Sequence, residues 1–243
     1  PTKRGWLKPF ASELTTRLQA MRHRQVTDAV HDEGGAIALQ VLHAGRYGYH
    51  PFIHSASDRK SPITPFKPSA MSSRQVDRTA TAFARTVALA VKGGYDAVEI
   101  MGSEGYLINQ FLAERTNQRD DEWGGSAEKR MRFPVEVVRR TRELVGPDLP
   151  IMYRISLLDL VEGGQTWDEV LELAHRVDRR VAEAVDLLAV IVQRRLRCAL
   201  PAAGPCCAPD EEASPGSGRL RCCRPGCSRT NPANRGSRME HGR

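Results

Sequence analysis

The chain has 243 residues, 36 Lys and Arg against 29 Asp and Glu, and a formal net charge of +7. No apolar run approaches the roughly 18 residues of a membrane span, and the N-terminal PTKRGWLKPF lacks the hydrophobic stretch of a secretory leader. The excess charge is local, because residues 193–243 hold ten Arg, no Lys and four acidic side chains. The remainder is nearly balanced and gives no reason to expect nucleic acid, so a cytoplasmic protein with neither a membrane nor a nucleic-acid partner is the expectation.

Taken in chain order, RHRQVTDAVHDEGG (22–35) predicts a helix closed by Gly34 and Gly35. AIALQVL (36–42) is a short continuous apolar run, as in a strand covered on both faces. Residues 43–71 form a loop punctuated by Pro51, Pro62, Pro65 and Pro68. SRQVDRTATAFARTVALAVKGG (73–94) predicts a long helix with Val76, Phe83, Val87 and Val91 along one side. YDAVEIM (95–101) is the next strand. SAEKRMRFPVEVVRRTRELVG (126–146) is a helix with Phe133, Val137, Val138, Leu144 and Val145 apolar, and with Pro134 in its first turns or marking a kink. LPIMYRIS (149–156) is a strand again. Thr166 and Glu169 have the spacing of a capping box that opens TWDEVLELAHRV, and AVDLLAVIV (184–192) reads as one more strand.

Four strand–helix repeats predict a parallel sheet covered by helices. Right-handed crossovers leave an open doubly wound sheet or a (β/α)8 barrel, and no GxGxxG follows the first strand to favour the former. The fold class is therefore α/β over residues 1–192, with about four βα units, either an open sheet or a partial (β/α)8 TIM barrel. Residues 193–243 differ in kind: they contain all six cysteines, and no Phe, Tyr or Trp occurs after Trp167. Such a low-complexity segment cannot bury enough apolar surface to offset its ordering entropy, and its composition is what an out-of-frame reading of a GC-rich gene produces. It reads as a disordered or frame-shifted tail. Without a CxxC pair, a metal site there is the weaker reading, and no metal is expected.

Ligands of such folds sit at the carboxyl ends of the strands. Three polar candidates lie there: Gln40 on the first strand, MGSEGY after the second, and Arg154 on the third. Each has a structural alternative, since a Gln can satisfy backbone, a Tyr can pack, and an Arg can hold a structural carboxylate.

The segments GWLKPF (5–10), ALQVLHAGRYGYHP (38–51), VEIMGSEGYLINQFL (98–112), RTNQRDDEWGGSAEKRMRF (115–133) and MYRISLLDLVEGG (152–164) resemble the old yellow enzyme family of NADH:flavin oxidoreductases. The likeness is greatest to its 2,4-dienoyl-CoA reductase branch and runs from about Gly5 to about Val177. It implies a barrel that binds FMN at its C-terminal face and takes hydride from NAD(P)H, with a conjugated acyl-CoA or other enoyl compound as substrate, as in fatty-acid β-oxidation. It implies that Gln40 meets the pyrimidine edge of the flavin, offering both donor and acceptor. Arg154 is implied to place a fixed positive charge near flavin N1, Tyr106 to be the catalytic proton donor, and Arg115 to lie on the substrate side. A phenol, with a pKa of about 10, keeps its proton at neutral pH and can release it to a basic enolate. Many family members grip the substrate carbonyl with His and Asn; the corresponding places are Met101 and Glu104, which resembles the dienoyl-CoA reductase pattern. His43, Arg46, Arg119, Asp121, Gly124 and Gly125 are read as fixing loop geometry.

Beyond Val177 the resemblance decays, and no GWHE-like segment with its histidine follows. The resemblance thus implies a chain incomplete at both ends, with the family's iron–sulfur cluster and FAD expected only in the missing C-terminal part. Two readings stay open, a flavin ene-reductase and a truncated, non-catalytic fragment of one, with a flavin amine dehydrogenase of the same family as a weaker third. Uncovered barrel edges make self-association a further expectation.

Overall fold

Thr16 sets the start of the first helix, α1 (Arg17–Asp32), in this computed structural model, which describes residues 1–181 and 190–194. Its side chain accepts from the Gln19 amide at 3.2 Å, while Gln19 Oε1 accepts from the Thr16 amide at 3.0 Å. That reciprocal cap starts the helix five residues ahead of the expected Arg22. Strand β1 (Ala38–Val41) follows. The proline-rich loop then carries two short parallel strands, β2 (His54–Ser55) and β3 (Ser69–Ala70), paired with each other. Ser72 and Gln75 cap α2 (Ser73–Lys92) in the same way as Thr16 and Gln19.

Next come β4 (Ala97–Met101), a short helix α3 (Leu107–Leu112) that the sequence did not predict, and α4 (Ala127–Val145). Pro134 lies in the second turn of α4. Strand β5 (Ile151–Leu158) leads to α5 (Trp167–Val181). The expected capping box opens α5: the Glu169 amide donates to Thr166 Oγ1 at 3.2 Å, and the Thr166 amide to Glu169 Oε2 at 3.0 Å. The last described strand is β6 (Val190–Arg194). It was expected over 184–192; residues 182–189 and the expected tail beyond Arg194 lie outside the described residues.

The sheet runs β1-β4-β5-β6, every pair parallel. Helices α2, α4 and α5 each connect one strand to its neighbour, the repeating unit of a β/α barrel. Alternation along the strands separates two faces. Val41, Val98, Ile100, Ile151, Tyr153 and Ile155 are buried with Val76, Phe83 and Val87 of α2, Phe133, Val137 and Val138 of α4, and Leu173 of α5. Phe133 gathers three rings, with Phe111 at 4.4 Å, Phe83 at 6.4 Å and Trp123 at 6.5 Å between centroids. Two residues of the predicted apolar stripes do not join this core. Val91 is 45% and Leu144 53% exposed, because both lie in the last turns of their helices, where the apolar stripe extends past its packing partners.

The opposite face of the sheet presents Gln40, Glu99 and Arg154 on adjacent strands. Among the described residues no helix is long and apolar enough to cross a membrane. Nor does any group of three or more His, Cys, Asp or Glu among them stand ready to hold a metal ion.

Candidate active site at the strand ends

Glu99 joins two of the sequence-predicted residues, Gln40 and Arg154. Gln40 Nε2 donates to Glu99 Oε1 at 2.8 Å, and Arg154 Nε donates to the same oxygen at 2.7 Å. Arg154 Nη2 reaches Glu99 Oε2 at 3.2 Å, making the pairing two-pronged. Desolvation alone would push the Glu99 carboxyl up, but the donors Arg154 and Gln40 outweigh it and hold it below the usual carboxylate range. Arg154 Nη1 lies 4.0 Å from Glu104 Oε1, on the loop that follows β4. Hydrogen bonding to Glu99 holds the Arg154 guanidinium above its already high ordinary value.

That loop is a tight turn. The Tyr106 amide donates to the Ser103 carbonyl at 3.2 Å, and both central residues have positive φ, 61° at Glu104 and 76° at Gly105. Gly105 meets this demand without cost, whereas Glu104 is strained by about 1 kcal/mol. Glycine at 105 therefore serves the turn. The turn is anchored from several directions. The Glu104 amide donates to Ser156 Oγ at 3.2 Å, and the Gly105 amide to Asn109 Oδ1 at 2.7 Å. Gln110 Nε2 donates to the Gly105 carbonyl at 2.6 Å. Tyr106 then serves as the N-cap residue of α3, with its ring edge-to-face against Tyr47 at 5.8 Å.

Gln110, 1% exposed, ties the proline-rich loop to the loop after β4. Besides Gly105, its Nε2 donates to the Ala44 carbonyl at 3.3 Å, while its Oε1 accepts from the Arg46 amide at 3.0 Å and from Ser55 Oγ at 2.9 Å. Gly45 fits beside it only as glycine, since a Cβ there would stand 2.1 Å from Gln110 Oε1. His43 is buried next to Gly45, whose amide donates to His43 Nδ1 at 3.1 Å. The proton therefore sits on Nε2, which is buried without a hydrogen-bond partner. Burial, helped by the N-terminal amine and by His54 and His50, holds the His43 pKa well below its ordinary value.

Two of the residues read as loop-fixing, Arg119 and Asp121, act so. Arg119 pairs with Asp121 through both ends of its fork, with Nε to Oδ1 at 2.9 Å, and donates to the Ala56 carbonyl at 2.9 Å. Asp121 also accepts from the Trp123 amide at 3.0 Å, and its pKa is lowered to about 2: these donors overcome the opposing effect of burial.

The structure thus brings Gln40 and Arg154 together and sets Tyr106 two residues beyond Glu104, which flanks Arg154. Arg115 stands apart: it is exposed, and its backbone amide donates to the Gly163 carbonyl at 2.7 Å, linking the loop after α3 to the loop after β5. None of its described contacts reaches Gln40, Glu99 or Arg154. Sequence reasoning missed Glu99, whose signal was a lone carboxylate in the strand AVEIM, and the amide side chains Asn109 and Gln110 in an otherwise apolar run.

Gln40, Glu99 and Arg154 thus gather on the face of a parallel sheet opposite its covering helices, the face that lines the interior of a β/α barrel. The NADH:flavin oxidoreductase / NADH oxidase family matches residues 9–201, and the chain belongs to that family. It is 34% identical over 163 residues to an NADH oxidase of Thermoanaerobacter brockii, covering 63% of this chain and 24% of that protein. It is 30% identical over 187 residues to an NADPH dehydrogenase of Halalkalibacterium halodurans, covering 76% of this chain and 54% of that one. Among solved structures, a 2-naphthoyl-CoA reductase in complex with 2-naphthoyl-CoA superposes with a TM-score of 0.71 at 29% identity, over 78% of this chain and 31% of that one. The chain therefore spans between about a quarter and about half of the length of these relatives.

Proposed function

We propose that the chain is the flavin-binding barrel portion of an FMN-dependent oxidoreductase that reduces a conjugated C=C of an acyl-CoA thioester, in the manner of 2,4-dienoyl-CoA reductases, at the expense of NAD(P)H. The observation that carries this reading is the amide–carboxylate–guanidinium cluster facing the barrel interior. Gln40 and Arg154 would hold the pyrimidine edge of FMN. Their chemistry fits it: with its amide nitrogen committed to Glu99, Gln40 keeps an acceptor oxygen, and Arg154 keeps N–H donors and a fixed charge beside it. When bound, FMN supplies the hydride transfer.

The chain's own groups supply placement and a proton. Tyr106 carries a phenolic proton at the end of β4, on a turn whose backbone is fixed by Ser156, Asn109 and Gln110. A donor carried on a backbone held this firmly would cost less reorganisation when the proton moves. Arg115, at the rim, would meet the substrate. Met101 and Glu104 support the acyl-CoA reading, and the solved 2-naphthoyl-CoA reductase points to the same substrate class. The competing reading is a non-catalytic portion of such an enzyme, favoured by the exposure of Ala38 and Gln40 on the face where a ligand should be enclosed.

The test is Tyr106→Phe in FMN-loaded protein, assayed with a conjugated acyl-CoA and NAD(P)H. Loss of the acid should lower turnover by about 10²–10⁴-fold while flavin stays bound. Undiminished turnover with flavin retained would remove Tyr106 from the mechanism. A loaded wild type that turns over no enoyl substrate would favour the non-catalytic reading.

A further inference from the structure

Glu99 is 8% exposed in the middle of a strand whose other residues are apolar or small. A carboxylate there loses its hydration, which is costly unless donors replace it. It receives three, from Gln40 Nε2, Arg154 Nε and Arg154 Nη2. Two geometric consequences follow. An ionised carboxylate only accepts, so the Gln40 group against it is the NH2, and the Gln40 carbonyl oxygen is the atom left for a ligand. The two-pronged pairing also fixes the plane of the guanidinium and leaves Nη1 directed toward Glu104. One side chain thus decides which atoms two other strands present. It also balances the charge of Arg154.

We infer that Glu99 is a positioning residue: it sets the amide orientation of Gln40 and the guanidinium plane of Arg154 as a single recognition edge, and it tempers the positive charge that edge shows to a bound flavin. Only the second half of this inference rests on the flavin reading above.

The experiment compares wild type with Glu99→Gln, a near-isosteric change that both donates and accepts. The variant no longer dictates how Gln40 is turned and no longer balances Arg154. The first readout needs no cofactor: side-chain NMR of the ligand-free chain, following solvent exchange of the Arg154 Nε proton and the Gln40 amide protons. In wild type these should exchange on the order of tenfold more slowly than an exposed guanidinium such as Arg115, and the variant should lose that protection. Equal exchange in wild type and variant would overturn the positioning role.

The second readout is the reduction potential of bound FMN. Unbalancing Arg154 should favour the reduced form about tenfold, a rise of about 30 mV for a two-electron couple. A Glu99 with only a structural role would lower the unfolding midpoint and leave the potential unchanged, which would overturn the charge half. Wild type that retains no FMN would sink the flavin reading, while the first readout still decides the positioning. Should Glu99→Gln fail to fold, Glu99→Asp takes its place. It keeps the charge but is too short to hold both partners, so protection of Gln40 should be lost; protection retained would again count against the inference.

Discussion

Replacing Gln110 by Leu removes a side chain whose full hydrogen-bonding capacity is spent on four partners from two loops. The shape is nearly kept, so the cost is in the groups left behind. One of these, the Ser55 hydroxyl, belongs to a residue 1% exposed, where water cannot replace the lost partner, whereas the buried Ala44 carbonyl keeps the Tyr47 amide at 3.1 Å. The Arg46 amide and Gly105 carbonyl belong to half-buried residues and recover part of their bonding from solvent. At about 1–3 kcal/mol for the enclosed orphan and a fraction of that for each half-buried group, the expected loss is about 3 kcal/mol. Gln110→Glu should do no better, since a carboxylate offers no donor to the Ala44 and Gly105 carbonyls. Urea unfolding measures the total, and hydrogen exchange at the Gly105 and Tyr106 amides shows whether the turn loosens locally. A loss below about 1 kcal/mol, with exchange at those amides unchanged, would refute the idea that Gln110, beside Ser156 and Asn109, holds the loop beneath Tyr106.

Two further outcomes follow from buried groups nearby. Gly102→Ala should destabilise the chain strongly, because its Cβ would lie 2.3 Å from the Tyr153 ring and hydroxyl and 2.7 Å from the Arg154 carbonyl; a thermal midpoint equal to wild type would show that Tyr153 can move aside. His43, with its folded pKa depressed, binds a proton less readily in the native state than in the unfolded one. Its contribution to stability is therefore complete above the unfolded pKa of about 6.5 and should fall by up to about 1.4 kcal/mol per pH unit below it. Unfolding free energies between pH 7.5 and 5 test this; the decline should flatten in His43→Gln, and an unchanged slope would assign the acid sensitivity elsewhere.

The strands were legible because a covered parallel strand is a short apolar run, and AIALQVL, YDAVEIM and LPIMYRIS are such runs. Their polar members, Gln40 and Arg154, were legible because each stands out within such a run. Helix α3 was not, since LINQFL is too short to show a period. Its start depends on the turn at Ser103–Tyr106 and on a long-range bond from the Leu107 amide to the His43 carbonyl at 3.0 Å. The early start of α1 was available as Thr16 with Gln19, but it lies in a polar stretch with no apolar stripe to draw the eye. Val91 and Leu144 keep the helical period yet face solvent, because periodicity gives the direction of a stripe and not the extent of the surface it meets. Glu99 escaped because attention to ligand-facing groups passes over the residue that aims them.

The central claim is that Gln40 and Arg154 form one edge that receives a flavin. Its most direct test is the structure of the protein determined in the presence of FMN. The pyrimidine edge of the ring should lie against the Gln40 amide and the Arg154 guanidinium, with Glu99 still joining the two. A flavin seated on any other face, or an Arg154 turned away from Gln40 in the complex, would contradict it.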